Sequence, residues 1–186
     1  MSGPPLSKSE EPIVVVDATV LINFKNVGRL DLLEKSPCTL WCPREVWNEV
    51  VSKAIPDYSA PAGFGRLRNM DKLVVQRIEE PKEMQMVDNL LNHAQYSLDP
   101  GEAEALTLCL VHSLPLASDD KAARRFARSE GVHCTGTLGF LFTFIDLGVL
   151  SLNQACTLHE VMQQHGYFSY YNNNRQFIKA YRNRKQ

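Results

Sequence analysis

Short apolar runs alternate with amphipathic segments along this chain. The first run, Ile13–Val16, consists only of β-branched residues, which is typical of a strand buried on both faces of a parallel sheet. Pro43 opens a helix in which Val46 and Val50 lie four residues apart, and an Asp-Pro pair at Asp99 opens another. The predicted strands are residues 13–16, 38–41, 73–78, 114–117 and 132–135. The predicted helices are residues 26–34, 43 onwards, 81–95, 99–110, 121–130, 138–147, 151–164 and 174 onwards.

Strands that alternate with helices predict an α/β fold. We expect a three-layer α/β/α sandwich around a central, mainly parallel sheet. Residues 58–65 are rich in Pro, Gly and Ala, and this composition predicts a loop. In parallel sheets, functional sites form at the carboxyl ends of the strands, so the residues that follow the strands are the candidates for chemistry.

The chain divides into three predicted parts. Residues 1–11 are rich in Ser, Pro and Glu and are expected to be a disordered segment. Residues 12–165 are expected to form one domain, because a chain of 186 residues with 44% hydrophobic residues can bury a single core. Residues 166–186 form a basic, aromatic C-terminal segment that packs on the domain or extends from it.

Composition narrows the setting of the protein but not its activity. The net charge of −1 gives no indication of a partner. Five cysteines, an odd number, and a polar start to the chain predict a reduced, cytoplasmic protein. The cysteines Cys38 and Cys42 lack a second pair with zinc-site spacing. The most apolar stretch, residues 138–152, is interrupted by Asp146 and is shorter than the roughly 20 residues that cross a bilayer, so no membrane association is expected.

Acidic residues follow two of the predicted strands. Asp17 comes directly after the first strand, and Asp119 and Asp120 follow the strand that ends at residue 117. Glu102 begins the helix before that strand, and Glu49 lies on the Pro43 helix. Carboxylates that converge in one cleft repel each other unless a cation compensates. A set of hard oxygen ligands without His or Cys favours Mg²⁺ or Mn²⁺.

Each acid also has a structural interpretation. Asp17 could simply end its strand. Glu102 is the third residue of a helix capped by Asp99 and could close a capping box. Either Asp119 or Asp120 could cap the helix that follows, and Glu49 could be a solvated helix residue. These alternatives remain open at the level of the sequence.

Four segments resemble PIN domains. They are "IVVVDATVLINF", "CPREVWNEVV", "LDPGEAEALTLCL" and "PLASDDKAARRFARSEGVHCTGTLGFLF". The last two resemble a prokaryotic PIN subgroup of predicted nucleic-acid-binding proteins. The resemblance implies a parallel sheet between helices and Mg²⁺- or Mn²⁺-dependent RNA cleavage. It also implies a homodimer and, as in many members, a toxin that is inhibited by a small antitoxin protein.

The resemblance assigns roles by position. It implies that the catalytic acids are Asp17, Glu49, Glu102, Asp119 and Asp120. Among them, Asp17, Glu102 and Asp120 are the implied metal ligands, with Thr19 and Ser118 as supporting hydroxyl groups. Glu102 stands where many members have Asp, and the last block lacks the usual Asp-Phe ending.

Two basic groups are candidates for nucleic-acid binding. One comprises Arg124, Arg125 and Arg128 on the helix after the Asp pair. The other comprises Arg175, Lys179 and Arg182 among the aromatic residues of the C-terminal segment. Cations interleaved with aromatic residues suit single-stranded nucleic acid, through phosphate contacts and base stacking. A solvated helix face and a packed terminal helix are the structural alternatives.

The sequence therefore predicts a metal-dependent ribonuclease that hydrolyses phosphodiester bonds in RNA. One alternative is a PIN-fold module that binds nucleic acid without catalysis, although all the acidic positions are filled here. Another is a Mg²⁺-dependent phosphatase-like α/β domain. A phosphatase of the haloacid dehalogenase type would carry Asp-x-Asp at the first strand, and this chain has Thr19 at the second position.

Overall fold

Five short parallel strands form the centre of the molecule. In the computed structural model, which describes residues 11–52 and 59–184, the strand order is β3-β2-β1-β4-β5. Every pair of neighbours is parallel, with Val15 opposite both Trp41 of β2 and Leu116 of β4. The strands are β1 (Ile13–Val16), β2 (Thr39–Pro43), β3 (Leu73–Gln76), β4 (Leu116–Ala117) and β5 (Cys134–Thr135).

Helices connect the strands and cover the sheet. The first five are α1 (Ala18–Asn26), α2 (Asp31–Glu34), α3 (Arg44–Ser52), α4 (Ser59–Asn69) and α5 (Pro81–Leu91). The other helices of the described residues are α6 (Pro100–His112), α7 (Lys121–Ser129), α8 (Thr137–Asp146), α9 (Leu152–Gln164) and α10 (Asn174–Asn183).

Successive strand residues point into two different cores, because side chains alternate across a sheet. Val16 and Leu40 belong to a core formed with α1–α4 and α8–α10. Val15 and Leu116 belong to a second core, formed with α5, α6 and α7. Both cores are buried, so the β-branched run that predicted a strand buried on both faces is confirmed, as is the three-layer α/β/α arrangement around a parallel sheet.

The structure differs from the helix prediction at the start of the chain in two ways. The predicted helix at residues 26–34 is α2 alone, and α1 was not predicted although it begins directly after Asp17. Helix α1 carries Val20 and Ile22, which are poor helix formers by propensity. Burial of Leu21 and Phe24, which have no exposed surface, outweighs that preference.

The prediction of a loop at residues 58–65 was also wrong from residue 59 onwards, because α4 begins there. Gly63 and Gly65 suggested a break, but Phe64 and Leu67 are buried in the core and hold the helix in place. Gly63 also lets α4 approach α2, since a Cβ atom there would lie 2.8 Å from the Leu30 Cδ1 atom. Tertiary packing thus explains the helix that composition disfavoured.

The C-terminal segment packs against the domain through α10. Phe177 is fully buried and lies with its ring centroid 5.1 Å from Phe142 and 4.9 Å from His159. Nearly all of the N-terminal segment predicted to be disordered, residues 1–10, lies outside the described residues. Within the described ranges, none of the helices has the length and apolarity needed to span a membrane.

Candidate active site

The acidic residues lie where β1 and β4 end side by side. Asp17 continues the β1 pairing, since its backbone N–H donates to the Ala117 carbonyl at 2.9 Å. The Ser118 N–H in turn donates to Thr135 of β5 at 3.2 Å. Because the strands are parallel neighbours, Asp17 and the Ser118–Asp120 segment meet at the same edge of the sheet, as the sequence predicted.

Asp17 is buried and accepts hydrogen bonds from three donors. Its Oδ1 atom accepts from the Ala18 N–H at 2.7 Å, which caps α1. Its Oδ2 atom accepts from the Thr19 hydroxyl at 2.7 Å and from the Ser118 hydroxyl at 2.8 Å. Burial raises the pKa of Asp17, and these hydrogen bonds oppose that rise because they stabilise the charged form.

The two hydroxyl groups link Asp17 to the end of β4. The Thr19 hydroxyl also accepts from the Asp119 N–H, and the Ser118 hydroxyl accepts from the Asp120 N–H, both at 3.0 Å. Each hydroxyl therefore donates a hydrogen bond to Asp17 and accepts one from a backbone N–H that follows β4. This arrangement fixes the Asp17 carboxylate relative to the residues after β4.

Glu102 lies at the start of α6, in a capping box with Asp99. The Asp99 N–H donates to Glu102 Oε2 at 3.0 Å, and the Glu102 N–H donates to Asp99 Oδ1 at 2.8 Å. Glu102 therefore closes the capping box that its structural interpretation predicted. The capping box does not exclude a functional role, since one oxygen, Oε1, accepts no hydrogen bond from the described residues.

Four carboxylates interact electrostatically at this edge. Burial raises the pKa of Glu102 to about 8, and the negative charges of Asp99, Asp120 and Asp17 add to the rise. Asp99 likewise raises the pKa of Asp17. These four acids come from three parts of the chain, and the charges of the three aspartates all act on Glu102 at this edge of the sheet.

Asp119 and Asp120 point to different surroundings. Asp120 caps α7, with its Oδ1 atom accepting from the Ala122 N–H at 2.6 Å and from the Ala123 N–H at 2.9 Å. Its charge acts on Glu102. The Arg124 charge instead acts on Asp119 and opposes the rise in the pKa of its carboxyl that burial causes. Asp120 is therefore the member of the pair that faces the acidic cluster.

Asp119 ties three elements together. Its Oδ2 atom accepts from Asn23 of α1 at 3.1 Å and from the Thr137 hydroxyl at the start of α8 at 2.5 Å. Burial raises its pKa, and the bonds from Thr137 and the Arg124 charge oppose that rise. Gly136 leaves room for this carboxylate, because a Cβ atom there would overlap Asp119 Oδ1.

Two further glutamates lie on the helices around the site. Glu49 is half-buried on α3, and its charge is not among those that act most strongly on Asp17 or Glu102. Glu104 accepts from the Glu45 N–H at 2.9 Å and so joins α6 to the first turn of α3. The structure thus brings Asp17, Glu102 and Asp120 together, whereas the Asp119 carboxylate is bonded to Asn23 and Thr137.

The predicted cations separate into three environments. Arg124 is turned inward, where its Nη1 atom donates to the Ser118 carbonyl at 2.7 Å and to the Thr135 carbonyl. Arg125 and Arg128 are exposed on α7. The cations of α10 are also exposed, on a helix that packs against α9; they are Arg175, Lys179 and Arg182.

Sequence reasoning missed three residues of this region. Asp99 was interpreted only as a helix cap, yet its charge acts on both Asp17 and Glu102. Asn23 and Thr137 hold Asp119 and had not been considered. Asn23 lies six residues after Asp17 in "DATVLINF". Its proximity to the site could be predicted only together with a helix over these residues.

The donor chemistry of the cluster fits a hard divalent cation, although the side chains are not closed around one. In the described part of the chain, no three His, Cys, Asp or Glu side chains are grouped so that they could hold a metal ion. Glu102 and Asp120 instead use one oxygen each on helix ends. A cation would bind the remaining carboxylate oxygens. It would also offset the like charges that add to the raised pKa of Glu102.

A comparison with protein families agrees with the resemblance of the four sequence segments to PIN domains. Among solved structures, the chain is similar to a PilT N-terminus domain protein from the hyperthermophilic archaeon Sulfolobus solfataricus P2. That similarity has a sequence identity of 12% and a TM-score of 0.45, and covers 86% of this chain and 98% of the other. No curated protein matches the chain. A family model described as a PIN domain matches residues 13–182, nearly the whole sequence and every acid of the cluster, so the chain belongs to the PIN domain family.

Proposed function

We propose that this protein is a divalent-metal-dependent ribonuclease that hydrolyses phosphodiester bonds in single-stranded or structured RNA. PIN domains are usually nucleases and generally use divalent metals. The observation that carries the proposal is the cluster of Asp17, Glu102, Asp120 and Asp99 at the carboxyl edge of the sheet. Such a concentration of negative charge beside a buried strand is costly without a cation to offset it.

Three side chains are the proposed ligands of Mg²⁺ or Mn²⁺. Asp17, Glu102 and Asp120 each come from a different element and offer only oxygen atoms. When bound, the metal would supply Lewis acidity to a phosphate and lower the pKa of a water molecule. Thr19 and Ser118 hold the Asp17 carboxylate in one orientation, and their hydrogen bonds oppose the rise in its pKa that burial causes.

Two acids receive separate proposed roles. Asp119 acts as a positioning residue, because its oxygens hold α1 and α8 against β4. Glu49 lies on α3, which packs against α6 beside Glu102, and we propose that it assists from the rim of the cluster. Neither residue is expected to be as sensitive to substitution as Asp17.

The decisive variant is Asp17→Asn. We expect it to fold, since the amide oxygen can still accept from Ala18 and the side-chain size is unchanged. We expect it to lose RNA cleavage, because the substitution removes the charge of one of the three proposed metal ligands. A labelled single-stranded RNA incubated with Mn²⁺, with and without EDTA, measures the activity of both proteins. Asp88→Asn is the matched control, as Asp88 is an exposed carboxylate on α5.

The outcomes separate the candidate functions. Cleavage by the native chain that requires Mn²⁺ and disappears in Asp17→Asn supports the proposal. Full activity in pure, folded Asp17→Asn protein contradicts it. RNA binding without cleavage at any Mn²⁺ concentration favours the non-catalytic PIN-fold module. Hydrolysis of a phosphate monoester but not of RNA favours the phosphatase-like alternative.

A toxin role is the finer part of the proposal. It follows from the resemblance of the motifs to PIN toxins, and it includes a homodimer and inhibition by a small antitoxin protein. Growth arrest on expression of the native chain, but not of Asp17→Asn, tests the toxin role. Sedimentation of the purified protein tests the dimer. Normal growth with an active enzyme would limit the proposal to RNA processing.

A further inference from the structure

A groove beside the acidic cluster combines cations with exposed aromatic rings. A cavity of about 600 Å³ lies between α7 and the 95–97 loop, with Tyr170 on its rim. A second cavity of about 240 Å³ shares Lys121, Arg124 and Tyr170 with the first and reaches Asp119 and Phe168. We name the surface formed by both the basic–aromatic groove; its defining residues are Tyr96, Lys121, Arg125, Arg128, Phe168 and Tyr170.

The cations of the groove lie on one face of α7. Lys121, Arg125 and Arg128 are four and three residues apart, which places them on neighbouring turns of a helix. The opposite face packs into the core through Ala123, Phe126 and Ala127. The first cation directly follows Asp120, the N-cap of α7, so the start of this helix carries residues of both the groove and the acidic cluster.

These cations have no carboxylate partners in the part of the chain that the structure describes. Arg125 donates to the Gln95 carbonyl at 3.2 Å and stacks over Tyr96, with its guanidinium carbon 4.8 Å from the ring centroid. The Lys121 ammonium lies 4.7 Å from the centroid of Phe168. Because Arg125 and Lys121 contact a carbonyl and aromatic rings and form no ion pair with a described carboxylate, their positive charges stay available for an anion.

The aromatic residues lie in an irregular segment between α9 and α10 in which buried and exposed side chains alternate. Tyr167 and Ser169 are buried, whereas Phe168 and Tyr170 are 67% and 71% exposed. The alternation means that the segment cannot turn its exposed rings inward without expelling the buried residues. Large rings exposed next to each other, with centroids 5.8 Å apart, are unfavourable in water unless something covers them.

This segment is anchored rather than loose. The Ser169 hydroxyl lies 2.8 Å from His159 Nε2 and accepts from the Tyr171 N–H at 3.1 Å. The Tyr171 carbonyl accepts from Gln163 at 3.1 Å. The backbone that carries the two rings is therefore held in place before any partner binds, which lowers the entropy lost on binding.

We propose that the basic–aromatic groove binds the single-stranded RNA next to the scissile phosphate. Lys121, Arg125 and Arg128 contact phosphate groups, and unpaired bases stack on Phe168 and Tyr170. Stacked rings beside a row of cations are suited to unpaired strands, because every base offers a π face once it is unpaired. This inference rests on the proposed ribonuclease function for its substrate, but the binding itself does not require cleavage.

The other predicted cations lie outside the proposed RNA contacts. Arg124 is engaged with two strand carbonyls, and its role is to hold β4 and β5 together. Arg175 and Lys179 lie on α10 and line neither cavity. Those two residues therefore provide a control with the same loss of charge.

The test measures binding of the full chain to fluorescein-labelled oligouridine in EDTA, by fluorescence polarisation over a series of salt concentrations. Arg125→Ala/Arg128→Ala should weaken binding on the order of tenfold at low salt and reduce the slope of log K against log salt by about 1.4. Phe168→Ala/Tyr170→Ala should weaken binding about fivefold or more and leave the slope unchanged. Arg175→Ala/Lys179→Ala should bind like the native chain.

Several results would overturn the proposal. One is an equal loss of affinity in the control and the Arg125→Ala/Arg128→Ala protein, since that indicates attraction by net charge alone. Others are unchanged affinity in the Phe168→Ala/Tyr170→Ala protein, or displacement of oligouridine by polyglutamate as readily as by unlabelled oligouridine. Arg125→Lys/Arg128→Lys keeps the charge and should retain the native salt slope; a reduced slope with native-like circular dichroism also contradicts the model.

The binding test and the cleavage test fail separately. Groove-dependent binding in EDTA without cleavage in Mn²⁺ leaves this inference standing and ends the ribonuclease proposal. If the native chain cleaves RNA and the groove variants bind and cleave as it does, only the inference about the groove is refuted. In an active enzyme, the groove variants should raise KM with little change in kcat, because they act on binding of the strand.

Discussion

Glu102 is expected to destabilise the folded chain near neutral pH, and its replacement by glutamine should remove that cost. Its carboxyl lies among Asp99, Asp120 and Asp17 and is 9% exposed. Glutamine keeps the capping box, since its amide oxygen can accept from the Asp99 N–H as Glu102 Oε2 does. The substitution therefore removes the charge and leaves the helix start intact.

The size of the effect follows from the pKa of Glu102, which burial and the neighbouring acids raise from 4.5 to about 8. Below the lower value, both the folded and the unfolded chain carry the proton, so the residue contributes nothing. As the pH rises through this window, the unfolded chain loses the proton first, and the folded state is progressively penalised. At 1.36 kcal/mol per pKa unit, the limit at pH 7 is about 3 kcal/mol. Water reaching the exposed part of the residue screens the charge, so we expect about 1–3 kcal/mol.

Urea denaturation in EDTA, without divalent ions, measures this difference. Glu102→Gln should match the native free energy of unfolding at pH 4 and exceed it at pH 8, with a midpoint that rises correspondingly. The control is Glu160→Gln, which removes an exposed carboxylate from α9. Addition of Mn²⁺ should stabilise the native protein more than Glu102→Gln, because a bound cation offsets the charge that the variant lacks.

A stability difference between Glu102→Gln and the native chain that stays constant from pH 4 to pH 8 would refute the reasoning. It would mean that the glutamate is not desolvated among like charges. Destabilisation at every pH would instead show that the capping box depends on the carboxylate itself. In either case the acidic cluster would lose its main electrostatic support.

Two further substitutions separate structure from charge at the same edge. Asp120→Ala should lose about 1 kcal/mol of stability because it removes the α7 cap, whereas Asp120→Asn should keep that stability since Asn caps equally well, and neither should cleave RNA. Native cleavage by Asp120→Asn would exclude this acid from the site. Gly136→Ala should lower the stability by about 1–3 kcal/mol, because the new Cβ atom would meet Asp119 Oδ1 and lie 3.0 Å from the Ser118 carbonyl. Gly65→Ala, which meets open space in α4, is its control in thermal melting, and equal melting of Gly136→Ala and the native chain would contradict the packing argument.

Several local features could be predicted because they depend on neighbouring residues alone. The apolar run Ile13–Val16 required a strand with two buried faces, and the structure has cores on both sides of it. The Asp-Pro start of α6 and the Ser151 cap of α9 fixed where those helices begin. Caps and period-two burial act over a few residues, so the sequence displays them directly.

Helices held by distant contacts could not be predicted in the same way. Helix α1 contains β-branched residues and no acidic first turn, and α4 contains a proline and two glycines. Both are stabilised by burial against elements far along the chain, such as α8 for α1 and α2 for α4. Propensity is worth at most about 1 kcal/mol per ordinary residue, and packing of a few buried side chains exceeds it.

The sequence by itself determined that Asp17 and the Asp119–Asp120 pair would meet, because parallel strands end at the same edge of a sheet. Only the tertiary structure decided which of the two adjacent aspartates faces that meeting point. Asp120 turns to cap α7 beside Glu102, and Asp119 turns to Asn23 and Thr137. Their sequence contexts are almost the same, and the difference comes from partners that are 96 and 18 residues away along the chain. No pattern of neighbouring residues encodes those distances, since folding alone brings such partners together.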